Sequence, residues 1–160
     1  MKRLTWLMAT LALVLSPAWA DDYKTLEWDE LIPLEEQLNP PPLPEVDHDD
    51  EFAIPSQPVG KVVASLDGQR VRLPGFVVPL EGDSKEVTTF FLVPYFGACI
   101  HVPPPPTNQI VYVDYPQGAK VDDLWEAVWV TGTLRTVGAS HDIAQASYSL
   151  EGMGVEPYNL

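Results

Sequence analysis

The sequence has few of the residues on which enzymes and metal proteins usually depend. Its 160 residues include one cysteine, three histidines and nine basic residues, against 23 acidic ones. A single cysteine excludes an internal disulfide, so an apolar core must supply the stability. The formal net charge of −14 disfavours nucleic acids and anionic lipids as partners, because both bind clustered Lys and Arg. It is compatible with cations or a basic protein surface, and equally with a merely solubilising acidic surface.

Familiar catalytic signatures are also missing from the chain. It has no serine nucleophile elbow, phosphate-binding loop or dinucleotide fingerprint. Without a second cysteine there is no partner to resolve a disulfide, so a thioredoxin-type mechanism is excluded. These gaps favour a non-catalytic protein, with a thiol-dependent enzyme that uses Cys99 as nucleophile as the competing class.

The N-terminus has the features of a signal peptide. Lys2 and Arg3 precede an apolar run over residues 4–15, which is shorter than the ~20 residues that span a bilayer. Residues 18–20 (AWA) form a small-x-small cleavage pattern, which predicts cleavage after Ala20. The mature chain then has 7 basic and 23 acidic residues, a formal net charge of −16. We therefore predict a periplasmic protein that does not span the membrane after cleavage.

Residues 21–58 form a predicted acidic, proline-rich N-terminal arm. Thr25 is a candidate cap for a short helix, whose apolar face would dock on the domain through Trp28. Residues 40–44 (PPPLP) read as an extended spacer. The acidic run 47–51 surrounds His48 and has the composition of a cation site, although such runs are usually solvated loops.

Residues 59–160 read as short strands separated by turn residues. The strands are predicted at 60–64, 70–79, 87–93, 109–115, 129–136 and 144–150, the last continuing through two glycines, and no long amphipathic helix is present. Short, bent strands of this kind predict an all-β fold, a small antiparallel barrel of the OB (oligonucleotide/oligosaccharide-binding) type. A β-sandwich is the alternative.

The segment around the only cysteine is the most informative stretch of the chain. Cys99 stands two residues before His101, and four prolines, 103–106, follow. In an extended segment the two side chains project to the same face, and both are ligands that zinc accepts. We predict a transition-metal site with zinc favoured over copper, completed by His141, His48 or a carboxylate. The alternative is that Cys99 packs as a small hydrophobe while His101 bonds a carbonyl.

The same segment offers a second kind of site. Prolines and aromatic side chains make rigid contact surfaces at low entropic cost, as in peptide-binding grooves and their ligands. The candidate partner-binding residues are Tyr95, Phe96, Pro103, Pro104, Pro105, Pro106, Asn108 and Gln109. The alternative is an intramolecular strap that closes one end of the barrel.

Four segments together resemble a family of exported bacterial proteins, domain of unknown function 3299. They are 28–33 (WDELIP), 75–80 (GFVVPL), 90–102 (FFLVPYFGACIHV) with the following prolines and Asn108-Gln109, and 129–134 (WVTGTL). The resemblance covers essentially the whole mature chain. It implies an exported single domain, sometimes associated with envelope transport systems, and it supplies no catalytic residues. The resulting hypothesis is a non-catalytic envelope binding module whose partner is an envelope protein or transport component.

Overall fold

The structure is a computed structural model, and it describes residues 23–40, 57–82, 86–99, 104–120 and 125–158. The predicted signal peptide and the acidic run with His48 lie outside these residues. No helix in the described part of the chain is long and apolar enough to cross a bilayer. The strands are β1 (Lys24–Thr25), β2 (Arg70–Gly82), β3 (Val87–Val93), β4 (Val111–Ala119), β5 (Val128–Arg135), β6 (Ala139–Ser140), β7 (Gln145–Ala146) and β8 (Tyr148–Pro157). Helix α1 spans Leu34–Leu38, and 3₁₀ turns lie at Trp28–Leu31, Ala64–Leu66 and Thr107–Gln109.

Five strands close into a barrel in the order β2-β3-β4-β8-β5, with β5 pairing back onto β2. The prediction of an all-β, OB-like barrel is confirmed. Four of its five pairings are antiparallel, and the β4–β8 pairing is parallel. The parallel pair follows from the topology. Strand β4 has the same direction as β2, because both run antiparallel to β3. Strand β8 also has the direction of β2, because both run antiparallel to β5. Strands β4 and β8 are therefore parallel where they close the barrel.

Within the barrel, strand β2 pairs with two neighbours, and the partner changes near its middle. Residues 70–75 pair with β5, and residues 76–82 pair with β3. At the change of partner, a Cβ on Gly75 would lie 2.8 Å from both the Leu92 Cγ and the Val93 carbonyl oxygen. The glycine therefore allows a close approach of β2 and β3.

Two apolar clusters lie on opposite faces of β3. Phe90 and Leu92 point into the barrel core, whereas Phe91 and Val93 point outward into a second cluster. That outer cluster is completed by the chain itself, through residues of the loop after β3 and of the β6–β7 hairpin: Ala98, Ile110, Ala144 and Ala146. The outer face of the sheet at β3 is thus covered by the protein's own loop and hairpin.

The arm packs on the barrel, and two local predictions for it need correction. The Trp28 Nε1 donates to the Pro74 carbonyl over 2.7 Å, which confirms docking through this side chain. Thr25 does not cap a helix, because it lies in β1, which pairs with β2 in parallel; Glu27 is the N-cap of the 3₁₀ turn instead. Residues 60–64 are not a strand, since their backbone N–H groups bond to side chains from other parts of the chain.

Candidate functional site

The loop between β3 and β4 begins with an exposed pair of aromatic residues. Tyr95 is 43% exposed and Phe96 is 53% exposed. The Phe96 ring meets the half-buried Phe76 ring edge-on, with 6.2 Å between the centroids. Edge-to-face geometry of this kind fixes the orientation of a ring, so Phe96 is held in place while much of its surface stays open to solvent.

Cys99 lies further along the same loop and is half-buried. Its backbone has φ of 66°, in the left-handed region that non-glycine residues seldom occupy. The side chain packs against the outer cluster of Phe91, Val93 and their neighbours. Removal of the thiol from water raises its pKa to about 11, because burial disfavours the charged thiolate. Among the roles that the sequence left open for Cys99, packing as a small hydrophobe therefore gains direct support.

Of the remaining histidines proposed as metal ligands, the structure describes only His141. His101 lies outside the described residues, as do His48 and Pro103. His141 is exposed, meets the Phe91 ring edge-on at 6.2 Å and accepts a hydrogen bond from the Ile143 N–H. The described residues contain no group of three or more His, Cys, Asp or Glu side chains positioned to hold a metal ion. The zinc site at Cys99 and His101 stays a prediction.

The second half of the loop is fixed by a network of polar contacts. Pro105 is buried, and its carbonyl accepts a hydrogen bond from Gln57 Nε2. The Thr107 hydroxyl, which is also buried, accepts from the Gly60 N–H at 3.0 Å and lies 2.6 Å from the Ser147 hydroxyl. Pro104 and Pro106 are half-buried. The described prolines therefore act as a strap tied to the barrel, with only part of their surface open.

Asn108 and Gln109 form hydrogen bonds to the arm and are not part of a free contact surface. Asn108 is 1% exposed, and its Nδ2 donates to Glu36 Oε1 and to the Lys61 carbonyl, both over 2.9 Å. The Gln109 Nε2 donates to the Trp28 carbonyl over 3.0 Å. A Cβ on Gly60 would lie 2.1 Å from the Asn108 Cγ, so this glycine is needed for the amide to fit. Among the predicted contact residues that the structure describes, Tyr95 and Phe96 are the ones with large exposed surfaces.

A cavity that the sequence did not reveal lies where the arm meets the proline loop. It has a volume of about 320 Å³ and is lined by Asp29, Ile32, Glu36, Gln37, Pro40, Pro106 and Asn108. Five of these residues come from the arm and two from the loop, about 70 positions further on. No local pattern in the sequence indicates that contact; the only available signal was the acidic composition of the arm.

Comparisons with known proteins agree with this architecture. The family model described as "Protein of unknown function (DUF3299)" matches residues 28–157. The crystal structure of a DUF3299 family protein from Pseudomonas aeruginosa PAO1 is similar with a TM-score of 0.72 and 42% sequence identity, covering 86% of this chain and 97% of that one. No curated protein is significantly similar to this sequence. On the family match and on this structural relative, the chain belongs to the DUF3299 family, a family of unknown function.

Proposed function

We propose that this protein is an exported, non-catalytic binding module of the bacterial envelope, which contacts a partner protein through Tyr95 and Phe96. The observation that carries the proposal is the exposure of these two adjacent aromatic side chains on a loop whose other described residues are mostly packed or hydrogen-bonded. Aromatic residues are enriched in protein interfaces, where they contribute large contact areas at low entropic cost.

The way the loop is anchored supports this role. The Phe96 ring packs against Phe76, and the following residues Ala98 and Cys99 pack in the outer cluster. Thr107 is hydrogen-bonded to Gly60 and Ser147. A contact loop held in this manner loses little conformational freedom when a partner binds, so more of the contact energy appears as affinity. The proline strap thus supports the aromatic pair instead of forming the contact surface itself.

The thiol-dependent enzyme is the less favoured alternative. A nucleophilic cysteine is normally activated by a depressed pKa or by an adjacent base. Burial instead raises the pKa of the Cys99 thiol to about 11. At pH 7 only about one thiol in ten thousand would be ionised. Nucleic acid is disfavoured for a different reason, the formal net charge of −14.

Site-specific crosslinking in the envelope tests the proposal. A photoreactive phenylalanine analogue at position 96 is expected to capture a discrete partner protein, most directly a component of a transport system. The same analogue at position 125 is the matched control, since Trp125 is 63% exposed but lies outside the β3–β4 loop. Capture should be lost when Tyr95 is also changed to Ala. Equal capture from positions 96 and 125 would contradict the proposal.

Zinc binding through Cys99 and His101 is a second candidate, which rests on the spacing of two zinc ligands in the sequence. The turn at Cys99, with φ of 66°, is not the extended backbone from which both side chains were expected to project to the same face. Zinc must displace the thiol proton, so binding should release one proton and weaken as the pH falls. Calorimetric titration with zinc should show tighter binding to the wild type than to Cys99→Ser or His101→Ala. Affinity in the wild type no greater than in both variants removes this candidate and leaves the loop as a strap.

A further inference from the structure

Helix α1 exposes both of its leucines to solvent, together with Glu35, which lies 3.8 Å from the exposed Lys61 ammonium. Glu36 bonds to Asn108 and to the Lys61 N–H, and the Gln37 Nε2 donates to the carbonyls of the preceding turn. Leu34 and Leu38, one helical turn apart, are 69% and 72% exposed. A surface helix normally has the opposite arrangement. Two neighbouring exposed leucines therefore form an apolar stripe that the described part of the protein leaves uncovered.

The cavity described above lies against the same helix, because Glu36 and Gln37 contribute to its wall. Its wall carries two carboxylates, those of Asp29 and Glu36, and the described residues that line it include no basic side chain. The buried amide of Asn108 also lines it, and the Oδ1 of this amide has no donor among the described residues. The apolar part of the wall comes from Ile32, Pro40 and Pro106. A long side chain with a cationic end matches both parts of this lining.

The charge of the arm selects the kind of partner. Residues 23–40 contain five acidic residues and one basic residue, Lys24, which is paired with Glu30 at 2.9 Å. A second copy of the chain would bring the same negative surface against itself, and like charges oppose association. Residues 41–56 of this chain contain five acidic residues and no Lys or Arg, so they match the surface equally poorly. Charge complementarity requires a basic occupant.

We infer that the outer face of α1 and the adjoining cavity form a docking surface for a basic, amphipathic segment of a partner protein. Apolar side chains of the segment cover Leu34 and Leu38, and a lysine side chain enters the cavity between Asp29 and Glu36. The surface goes beyond the proposed function because it uses none of the exposed aromatic residues of the β3–β4 loop. The proposals for the two surfaces can therefore be tested independently of each other.

A designed peptide tests this surface directly. The probe is a fluorescent 14-residue amphipathic helix of Leu and Lys, with a Leu and Glu peptide of the same pattern as its control. Anisotropy titration of the full mature protein is expected to show binding of the lysine peptide, weakening as salt is raised, and at least tenfold weaker binding of the glutamate peptide. The double change Leu34→Ser and Leu38→Ser should weaken binding of the lysine peptide at least tenfold, and Asp29→Asn at least threefold.

Matched variants separate this site from general attraction to an acidic protein. Val137→Ser removes an equally exposed apolar side chain elsewhere, and Asp114→Asn removes an exposed carboxylate from β4; both should bind as the wild type does. Tyr95→Ala with Phe96→Ala should also leave peptide binding unchanged, whatever it does to partner crosslinking. Wild-type affinity in both the leucine and the Asp29 variants overturns the inference. A concentration-dependent dimer that the leucine variant abolishes also overturns it, by assigning the stripe to a second copy.

Discussion

Cys99 shows how a burial environment decides the chemistry available to one residue. Its thiol packs against apolar side chains of the outer cluster. Tyr95, which interacts with it electrostatically, is itself uncharged at neutral pH, because burial raises the pKa of its hydroxyl further. Desolvation alone raises the pKa of the thiol to about 11. Because the neutral form is favoured in the folded state, a reactive thiolate and a well-packed side chain are competing outcomes at this position.

We expect Cys99 to react slowly with iodoacetamide in the native protein. With its pKa near 11, the thiolate fraction at pH 8 should be at least about a hundredfold lower than in the unfolded chain, whose thiol has a pKa of about 8.5. Mass spectrometry of native and urea-unfolded samples over time measures the ratio. Rapid native modification would instead favour the thiol-dependent enzyme.

The same shift predicts a dependence of stability on alkaline pH. The pKa of the thiol is raised on folding, so its contribution to stability is complete below about pH 8.5 and is lost as the pH rises towards 11. Urea unfolding at pH 8 and pH 10.5 should show a smaller loss for Cys99→Ala than for the wild type. Identical losses would mean that the thiol is not desolvated in solution.

Tyr148 is a single side chain that joins the arm, the segment before β2 and the barrel. Its hydroxyl donates to the Leu31 carbonyl at 2.9 Å and accepts from the Val63 N–H at 2.6 Å. Tyr148→Phe leaves both backbone groups without this partner, and we expect a loss of about 1–3 kcal/mol in the free energy of unfolding. Urea denaturation measures it. Tyr158→Phe is the control, because the Tyr158 ring is half-buried and lies tilted against Trp129. This change should cost less than about 0.5 kcal/mol.

At the scale of elements, the change of partner along β2 determines how the barrel closes. Gly75→Ala would place a Cβ within 2.8 Å of the Val93 carbonyl, which is backbone and cannot rotate away. The two strands must separate locally, and we expect a loss of about 1–3 kcal/mol, as for other overpacked sites. Thermal unfolding measures this loss. Thr88→Ala on the neighbouring strand should change stability little, and a neutral Gly75→Ala would show that β2 and β3 can separate at no cost.

The sequence predicted those elements whose signals are local. Residues 87–93 form a strand with the predicted bounds, and the strands near 70–79 and 129–136 differ mainly at their ends. Alternating apolar residues and turn residues are sufficient there. Residues 60–64 have the same local appearance, but the Lys61 N–H bonds to Glu36 and the Val63 N–H to Tyr148. Those partners are 25 and 85 positions away, and a local pattern carries no information about them.

The candidate site likewise contains residues that local sequence signals predicted and residues that they did not. The exposed aromatic pair and the partly buried strap both lie in the segment that the composition singled out, because prolines and aromatics are recognisable from their chemistry alone. The acidic cavity was missed because it exists only once Glu36 reaches Asn108, 72 positions along the chain. Asn108 itself was assigned to the contact surface, and its burial depends on where the arm docks.

At the scale of the whole molecule, the barrel type does not determine the ligand. OB barrels commonly bind oligonucleotides or oligosaccharides on the face of their second and third strands, which here are β3 and β4. In this protein the outer side chains Phe91 and Val93 of β3 are covered by Ala98, Ala144 and Ala146. The charge has the wrong sign for nucleic acid as well. The fold type alone therefore does not assign a ligand, and the proposed binding surfaces rest on the particular side chains of the loop and the arm.

The excess of acidic residues should also make the whole molecule more stable in salt. With 23 acidic and nine basic residues, repulsion among carboxylates opposes the compact state, and screening relieves it. Salt also weakens the ion pairs, such as Lys24–Glu30 and Arg135–Glu151, but pairs as exposed to solvent as these contribute little to stability. We expect the melting temperature to rise by several degrees between 10 and 300 mM potassium chloride at pH 7.5.

Because screening acts on charge, the same change in salt at pH 4.3, the isoelectric point of the sequence, should have a much smaller effect. A melting temperature that falls with salt at pH 7.5 would mean that the ion pairs outweigh the repulsion.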